Sequence, residues 1–206
     1  MFDNGGAGRS GNREENGARL VASTTSFWAR WRVRTGYLVA ALFLWMAAPT
    51  PRSIAIGMVV VALGLVVRAV AAGHLHKAEE ITTSGPYAWT RNPLYLGSAL
   101  LTLGFAIGAD SVWPAALIVA YYCAFYPAVM LREETELHMR FGARFDEFAA
   151  SVPRFLPRPP GKKLRESRCQ RGFSWWQYKR NREYQAAIGS AVGVMLLWAR
   201  MLLRHG

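Results

Sequence analysis

LYLGSALLTLGFAIGA, residues 94–109, runs through the single residue Asp110 into SVWPAALIVAYYCAFYPAVML, residues 111–131. Neither half carries a charged side chain. A helix on the outside of a soluble core needs a polar face, and neither half supplies one. Two apolar runs divided at Gly108-Ala109-Asp110 therefore read as a tight helical hairpin in a membrane. The first half is short, reaching about 24 Å at 1.5 Å per residue. A hydrocarbon core is about 30 Å thick and takes about 20 apolar residues per helix.

Outward from the hairpin lie three more runs. IAIGMVVVALGLVVRAVAA, residues 54–72, holds one charge, Arg68. AAIGSAVGVMLLW, residues 186–198, extends to Leu203 and spans if Arg200 snorkels. YLVAALFLWMAA, residues 37–48, is shorter. Its basic flank and Met46-Ala47-Ala48 also fit a signal peptide, but the long preceding tail and the later spans favour a retained helix. The expected fold class is all-α, an integral membrane helical bundle with about five transmembrane helices, including the tight hairpin. Residues 1–32 read as a disordered polar and basic tail. Residues 33–160 read as the core, with spans near 36–48, 54–72, 93–109 and 111–131, then a cytoplasmic helix over 132–150. Residues 161–206 read as a basic cytoplasmic segment followed by the last span.

The chain has 206 residues, 25 Lys and Arg against 13 Asp and Glu, and a formal charge of +12. Such a balance first suggests nucleic acid or anionic lipid. Its placement suggests topology instead. Arg9, Arg13, Arg19, Arg30, Arg32 and Arg34 precede the first span, and only Arg52 separates it from the second. Lys77 and Arg91 lie between the second and third, and the largest basic block runs from Arg132 to Arg182. The positive-inside rule then puts the N-terminus, the 73–93 loop and the 132–185 segment in the cytoplasm. Arg200 and Arg204, near an external C-terminus, run against the rule. The expectation is an integral membrane protein with its basic face in the cytoplasm, with membrane lipid as a partner and no nucleic acid. Trp28, Trp31, Trp175 and Trp176 suit an interfacial aromatic belt.

Several small signals carry little. Gly6-Ala7-Gly8-Arg9-Ser10-Gly11 matches a dinucleotide fingerprint only in letters, because no strand precedes it. Cys123 and Cys169 form no disulfide framework. His74-x-His76 has no further ligands close in sequence, so no metal is expected. The chain does not end in a prenylation motif.

Three elements carry chemistry. In Ser84-Gly85-Pro86-Tyr87-Ala88-Trp89-Thr90-Arg91-Asn92-Pro93-Leu94-Tyr95-Leu96-Gly97, Gly85-Pro86 makes a turn and Asn92-Pro93 suits a helix start, with Asn as N-cap and Pro at N1. Arg91 at that positive dipole end makes a plausible anion site, and Gly97 leaves room for close approach of a ligand or a helix. A well-capped helix with an ordinary interfacial arginine reads the same way. Next comes Leu131-Arg132-Glu133-Glu134-Thr135-Glu136-Leu137. If the helix continues, Arg132 and Glu136 pair at i,i+4. Glu133 and Glu134 point about 100° apart, so at least one faces a cavity between spans. A solvated charged helix end fits the same run. Last, Phe141, Phe145 and Phe148 fall at helical spacing and mark one apolar face, ahead of Val152-Pro153-Arg154-Phe155-Leu156-Pro157.

In this order and spacing, GPYAWTRNPLYLG, EETEL, FGARFDEF and VPRFLP resemble the isoprenylcysteine carboxyl methyltransferase family and the related phospholipid methyltransferases. Arg68-x-x-Ala-Ala-Gly-His74-Leu-x-Lys77 resembles the bacterial branch. The resemblance covers about Val61 to Pro157. It implies an integral-membrane enzyme that uses S-adenosyl-L-methionine without a Rossmann fold. The methyl would go to a carboxylate, isoprenylcysteine-like, or to another polar group of a lipophilic small-molecule or lipid-modified acceptor. By motif, Tyr87, Arg91, Asn92, Pro93, Tyr95, Gly97, Glu133 and Glu134 would line the cofactor pocket, with Arg91 and Glu134 as candidate catalytic groups. Asn92 stands where the family more often has His. Residues 161–206 lie beyond the shared motifs. Two alternatives are phospholipid N-methylation and, as a competing reading, an NADPH-dependent reduction of the sterol reductase type, whose motifs share a similar layout. A non-catalytic membrane scaffold with a degenerate site is the remaining reading.

Overall fold

The computed structural model of the chain describes residues 34–75, 80–161 and 172–205. The expected tail over 1–32, the Gly6–Gly11 motif, Trp28, Trp31, His76, Lys77 and Cys169 lie outside them. The chain divides into two units, Met1–Ala41 and Leu42–Gly206. Of the first, the described residues 34–41 form the opening turns of helix α1, Arg34–Met46. The second holds the rest of α1 and everything described below.

Its elements are α2 (Pro51–His74), a 3-10 turn (Gly85–Ala88), α3 (Pro93–Gly108), α4 (Val112–Phe141), α5 (Ala143–Ser151), α6 (Trp175–Arg180) and α7 (Tyr184–His205). Among the described residues the regular structure is entirely helical. The helices α2, α4 and α7 are long and apolar enough to cross a membrane, and α1 and α3 are shorter apolar helices. These five stand where spans were expected. Large apolar residues such as Val59, Leu63 and Val66 on α2, or Leu202 and Leu203 on α7, are exposed. Lipid is the solvent that suits them.

At one end of the bundle the α1–α2 and α3–α4 turns are knitted together. Thr50 and Ser53 form a reciprocal cap on α2, with Ser53 N donating to Thr50 Oγ1 at 3.2 Å and Thr50 N to Ser53 Oγ at 3.0 Å. The Thr50 hydroxyl also donates to Asp110 Oδ2 at 2.8 Å, and Ser53 Oγ donates to Gly108 O at 3.2 Å. Ala48 N donates to Ala109 O at 2.9 Å. Asp110 takes a left-handed backbone, φ 48°. That conformation, tolerable for Asp, makes the expected hairpin as tight as it is.

Between these turns and the other end, α2 and α3 cross through glycine. In lipid no hydrophobic force drives two helices together, so close backbone packing must do it. A Cβ on Gly57 would lie 2.5 Å from Gly104 O, and one on Gly64 would lie 2.9 Å from Gly97 O. The helix α7 closes the bundle by burying Leu197 and Met201 with Phe43, Ala47, Ile54 and Ala109. Arg200 donates from Nε to Leu44 O at 3.1 Å and from Nη2 to Trp45 O at 2.9 Å, while Arg204 Nη1 reaches Ala47 O at 3.3 Å. These carbonyls at the α1 C-terminus lack helical donors, and positive charge suits them. The two arginines near the end of α7 thus serve as a cap for α1.

The helix α4 has 30 residues, about 45 Å, and so outruns a hydrocarbon core. The helix expected over 132–150 is divided. Residues 132–141 continue α4 without a break, and Gly142, at φ 53°, turns the chain into α5. Phe145 and Phe148 of α5 are buried with Val152, against Phe141, Leu137 and Ile81.

Gly57→Ala is expected to lower stability by about 1–3 kcal/mol, because Gly104 O is backbone and cannot swing aside. Gly189→Ala on α7, with nothing within 4 Å, is expected to leave stability unchanged or raise it by up to about 1 kcal/mol. Thermal unfolding of both variants in detergent checks the pair.

Candidate active site

Gly85-Pro86 starts the 3-10 turn, whose backbone closes through Thr90 N to Pro86 O at 3.2 Å. The chain then meets the Val152–Pro157 strap. Arg91 N donates to Pro153 O at 2.9 Å and Arg158 N to Trp89 O at 2.9 Å. Thr90 is fully buried, and its hydroxyl lies 2.9 Å from Phe155 O and 3.2 Å from Arg154 O. It also accepts from Asn92 N at 3.3 Å. Proline at 153 and 157 removes two donors, so the strap offers mainly carbonyls, and the 89–92 segment supplies the matching donors.

The two segments and α4 converge on Glu134. The residue is buried, 9% exposed. Asn92 Nδ2 donates to Oε1 at 3.1 Å and Arg154 Nε to Oε2 at 3.0 Å. Arg91 Nη1 lies 3.5 Å from Oε2. A carboxylate out of water must be met by charge and hydrogen bonds, and Glu134 has both. Asn92 therefore acts differently from the expected N-cap. It stands at the start of α3, but its side chain makes no capping bond, turning instead to Glu134 and to Arg154 O at 3.0 Å. Pro93 holds the first helical position, where its missing N–H costs nothing.

Glu133, one residue earlier, is exposed and accepts from Tyr95 Oη at 2.7 Å. Tyr95 stacks edge-on against Tyr126, and Tyr122 donates to Tyr95 O at 2.7 Å. The pair of glutamates thus diverges as helical geometry requires, one into the arginine cluster and one toward Tyr95. Arg132 and Glu136 pair at 2.8 Å as the spacing predicts, both half exposed. Tyr87 is buried, and burial pushes its phenol above the ordinary range. The negative charges of Glu133 and Glu183 add to that rise.

Among the residues singled out by motif, Arg91, Asn92 and Glu134 touch one another, and Tyr95 touches Glu133. Gly97 lies on the opposite face of α3. A Cβ there would clash with Arg68 Cγ and stand 2.9 Å from Gly64 O. The close approach it permits is that of α2. Arg154 was not singled out as a site residue, although it sits inside the quoted V-P-x-x-x-P element. Arg68 and Glu183, an ion pair between α2 and the turn before α7, were not singled out either. Among the described residues no group of three His, Cys, Asp or Glu is placed to hold a metal ion.

What the arrangement offers is a partly buried guanidinium beside the buried Glu134 carboxylate, with Tyr95 on the neighbouring Glu133. Arg91 Nε is buried with no hydrogen-bond partner among the described residues. Residues 31–144, more than half of the chain, match the phospholipid methyltransferase family. The chain belongs to that family. It is a membrane protein of a methyltransferase family, and the matched stretch includes α1 to α4 and both glutamates. Two curated relatives are similar. The nickel-cobalt-cadmium resistance protein NccN of Alcaligenes xylosoxydans xylosoxydans is 30% identical over 138 residues, 62% of this chain and 63% of the relative. The cobalt-zinc-cadmium resistance protein CzcN of Cupriavidus metallidurans is 31% identical over 138 residues, 62% of each. The chain thus spans less than two thirds of the relatives it matches. No solved structure matches it.

Glu134→Ala is expected to cost about 3 kcal/mol, since it strands the largely buried Arg91. Arg132→Ala, which breaks only an exposed pair, is expected to change stability by less than about 1 kcal/mol. Chemical or thermal denaturation of both variants measures the difference.

Proposed function

We propose that this chain is an S-adenosyl-L-methionine-dependent methyltransferase acting on a lipophilic acceptor that enters from the bilayer. The carrying observation is Arg91, held by Glu134 at the first turn of α3 with its buried Nε unpaired. The donor set fits the cofactor. Arg91 and the start of α3 suit its carboxylate, and the exposed Glu133 carboxylate suits its ammonium or ribose. Glu134 is taken up by two arginines and Asn92, so its role is to position Arg91 rather than to meet ligand. Tyr87, Asn92, Pro93 and Tyr95 shape the walls. When bound, the cofactor supplies an electrophilic methyl group on a sulfonium. The chain's own residues then hold the reactants close and keep water out, which transfer of this kind chiefly requires. The clustering of basic residues on one side of the spans supports a site facing the cytoplasm, in a bacterial inner membrane.

The family favours methyl transfer over a sterol-type reduction. For the acceptor, a carboxylate of isoprenylcysteine type is one reading. A lipid amine is the second, favoured by the match to the phospholipid methyltransferase family. The relatives' names bring in metal resistance. We propose that such a link runs through a methylated product, in keeping with the methyltransferase family.

Calorimetry of the purified protein in detergent is expected to detect S-adenosyl-L-methionine binding, weakened about ten-fold or more in Glu133→Ala and Arg91→Ala. Absence of binding by the wild-type chain would sink the proposal. Incubation with methyl-labelled cofactor, total lipid and a prenyl-cysteine, followed by mass spectrometry, names the acceptor. Turnover of any kind excludes an inert scaffold.

A further inference from the structure

We propose that Glu183, which lies outside the family match, is a positioning residue for the active site: through Arg68 it fixes the first turn of α3. The inference rests on the methyltransferase reading for its functional consequence and on geometry for its substance.

Arg68 sits in the last two turns of α2 and reaches across to α3. Its Nη1 donates to Ser98 Oγ at 2.5 Å and to Leu94 O at 3.3 Å. Its stem lies against Gly97, where a Cβ would meet Cγ. Its Nε is paired with Glu183 Oε1. Glu183 is buried, 8% exposed. The turn of α3 that Arg68 grips is the one that carries Asn92 to Glu134 and Tyr95 to Glu133. A continuous line of contacts therefore runs from Glu183 through Arg68 to both motif glutamates. The charge of Glu183 also bears directly on Tyr87.

The segment that delivers Glu183 is itself built in. Ser174 N donates to Gly73 O at 2.9 Å, and Asn181 Nδ2 donates to Ala72 O at 2.9 Å and Leu75 O at 3.1 Å. These bonds close the carbonyl end of α2. Arg182 then takes a left-handed backbone, φ 53°, a conformation that a residue with a long side chain keeps only where its surroundings impose it. Glu183 follows immediately. Stability alone is a poor reason for such a pair, because apolar residues of similar volume hold buried positions as well or better. The pair does what apolar residues cannot, which is to hold a guanidinium donor against Leu94 O and Ser98.

The test uses the full chain in lipid nanodiscs, with Glu183→Gln and the apolar double variant Arg68→Met/Glu183→Met. Hydrogen–deuterium exchange over residues 90–98 is expected to quicken about ten-fold in both variants, with residues 54–61 unchanged. The affinity for S-adenosyl-L-methionine is expected to fall about 10–100-fold, although the double variant melts near the wild-type temperature. A double variant with the wild-type melt and wild-type exchange over 90–98 would overturn the proposal. So would loss of protection throughout the chain in both variants, which marks a general structural role. A wild-type chain that binds no cofactor defeats the methyltransferase reading, and the exchange result still decides Glu183.

Discussion

A carboxylate taken out of water at a membrane boundary must be answered by charge and by directed hydrogen bonds. Glu134 is such a group, and much of the site follows from answering it. Arg91 and Arg154 bring the charge, Asn92 the neutral donor. To deliver Arg154, the strap after α5 has to return to the start of α3, and it does so on carbonyls paired with Thr90, Asn92 and the backbone of Arg91. The small apolar cluster of Phe145, Phe148 and Val152 holds that return in place. Removing the strap would leave Glu134 without Arg154 and so with a half-met charge.

The hairpin and the apolar runs were legible because lipid imposes a local rule: each span must be apolar along its own length. Gly108-Ala109-Asp110 and the Arg132–Glu136 pair are equally local and equally legible. Asn92 was misread for a physical reason. Asn before Pro at a helix start ordinarily caps, but Glu134, 42 residues away in sequence, offers its side chain a stronger partner. Gly97 showed that something approaches closely without showing what. Arg154 and Glu183 left no local mark, since their partners lie 20 and 115 residues away. Periodicity cannot reveal a pairing at that range.

Charge inside the bundle follows one economy. Arg68 meets a carboxylate, a hydroxyl and a carbonyl, while Arg200 and Arg204 meet only the carbonyls that end α1. Charged groups at membrane depth are rare unless they find such partners. Positive residues near the C-terminus therefore carry two meanings, topology and helix capping, and a count of Lys and Arg cannot separate them. Partners can.

The knitted turns at the end opposite the site have a mechanical consequence. Backbone and short side-chain bonds among Ala48, Thr50, Ser53, Gly108, Ala109 and Asp110 make that end a fixed pivot. The start of α3 lies a full helix length away, about 24 Å. A tilt of about 4° at the pivot displaces that end by about 1.7 Å, the scale on which contacts to a bound molecule are made or lost. A small rotation at the knitted end would therefore be magnified at the start of α3, and the closest approach of α2 and α3, Gly57 against Gly104, lies near that knitted end.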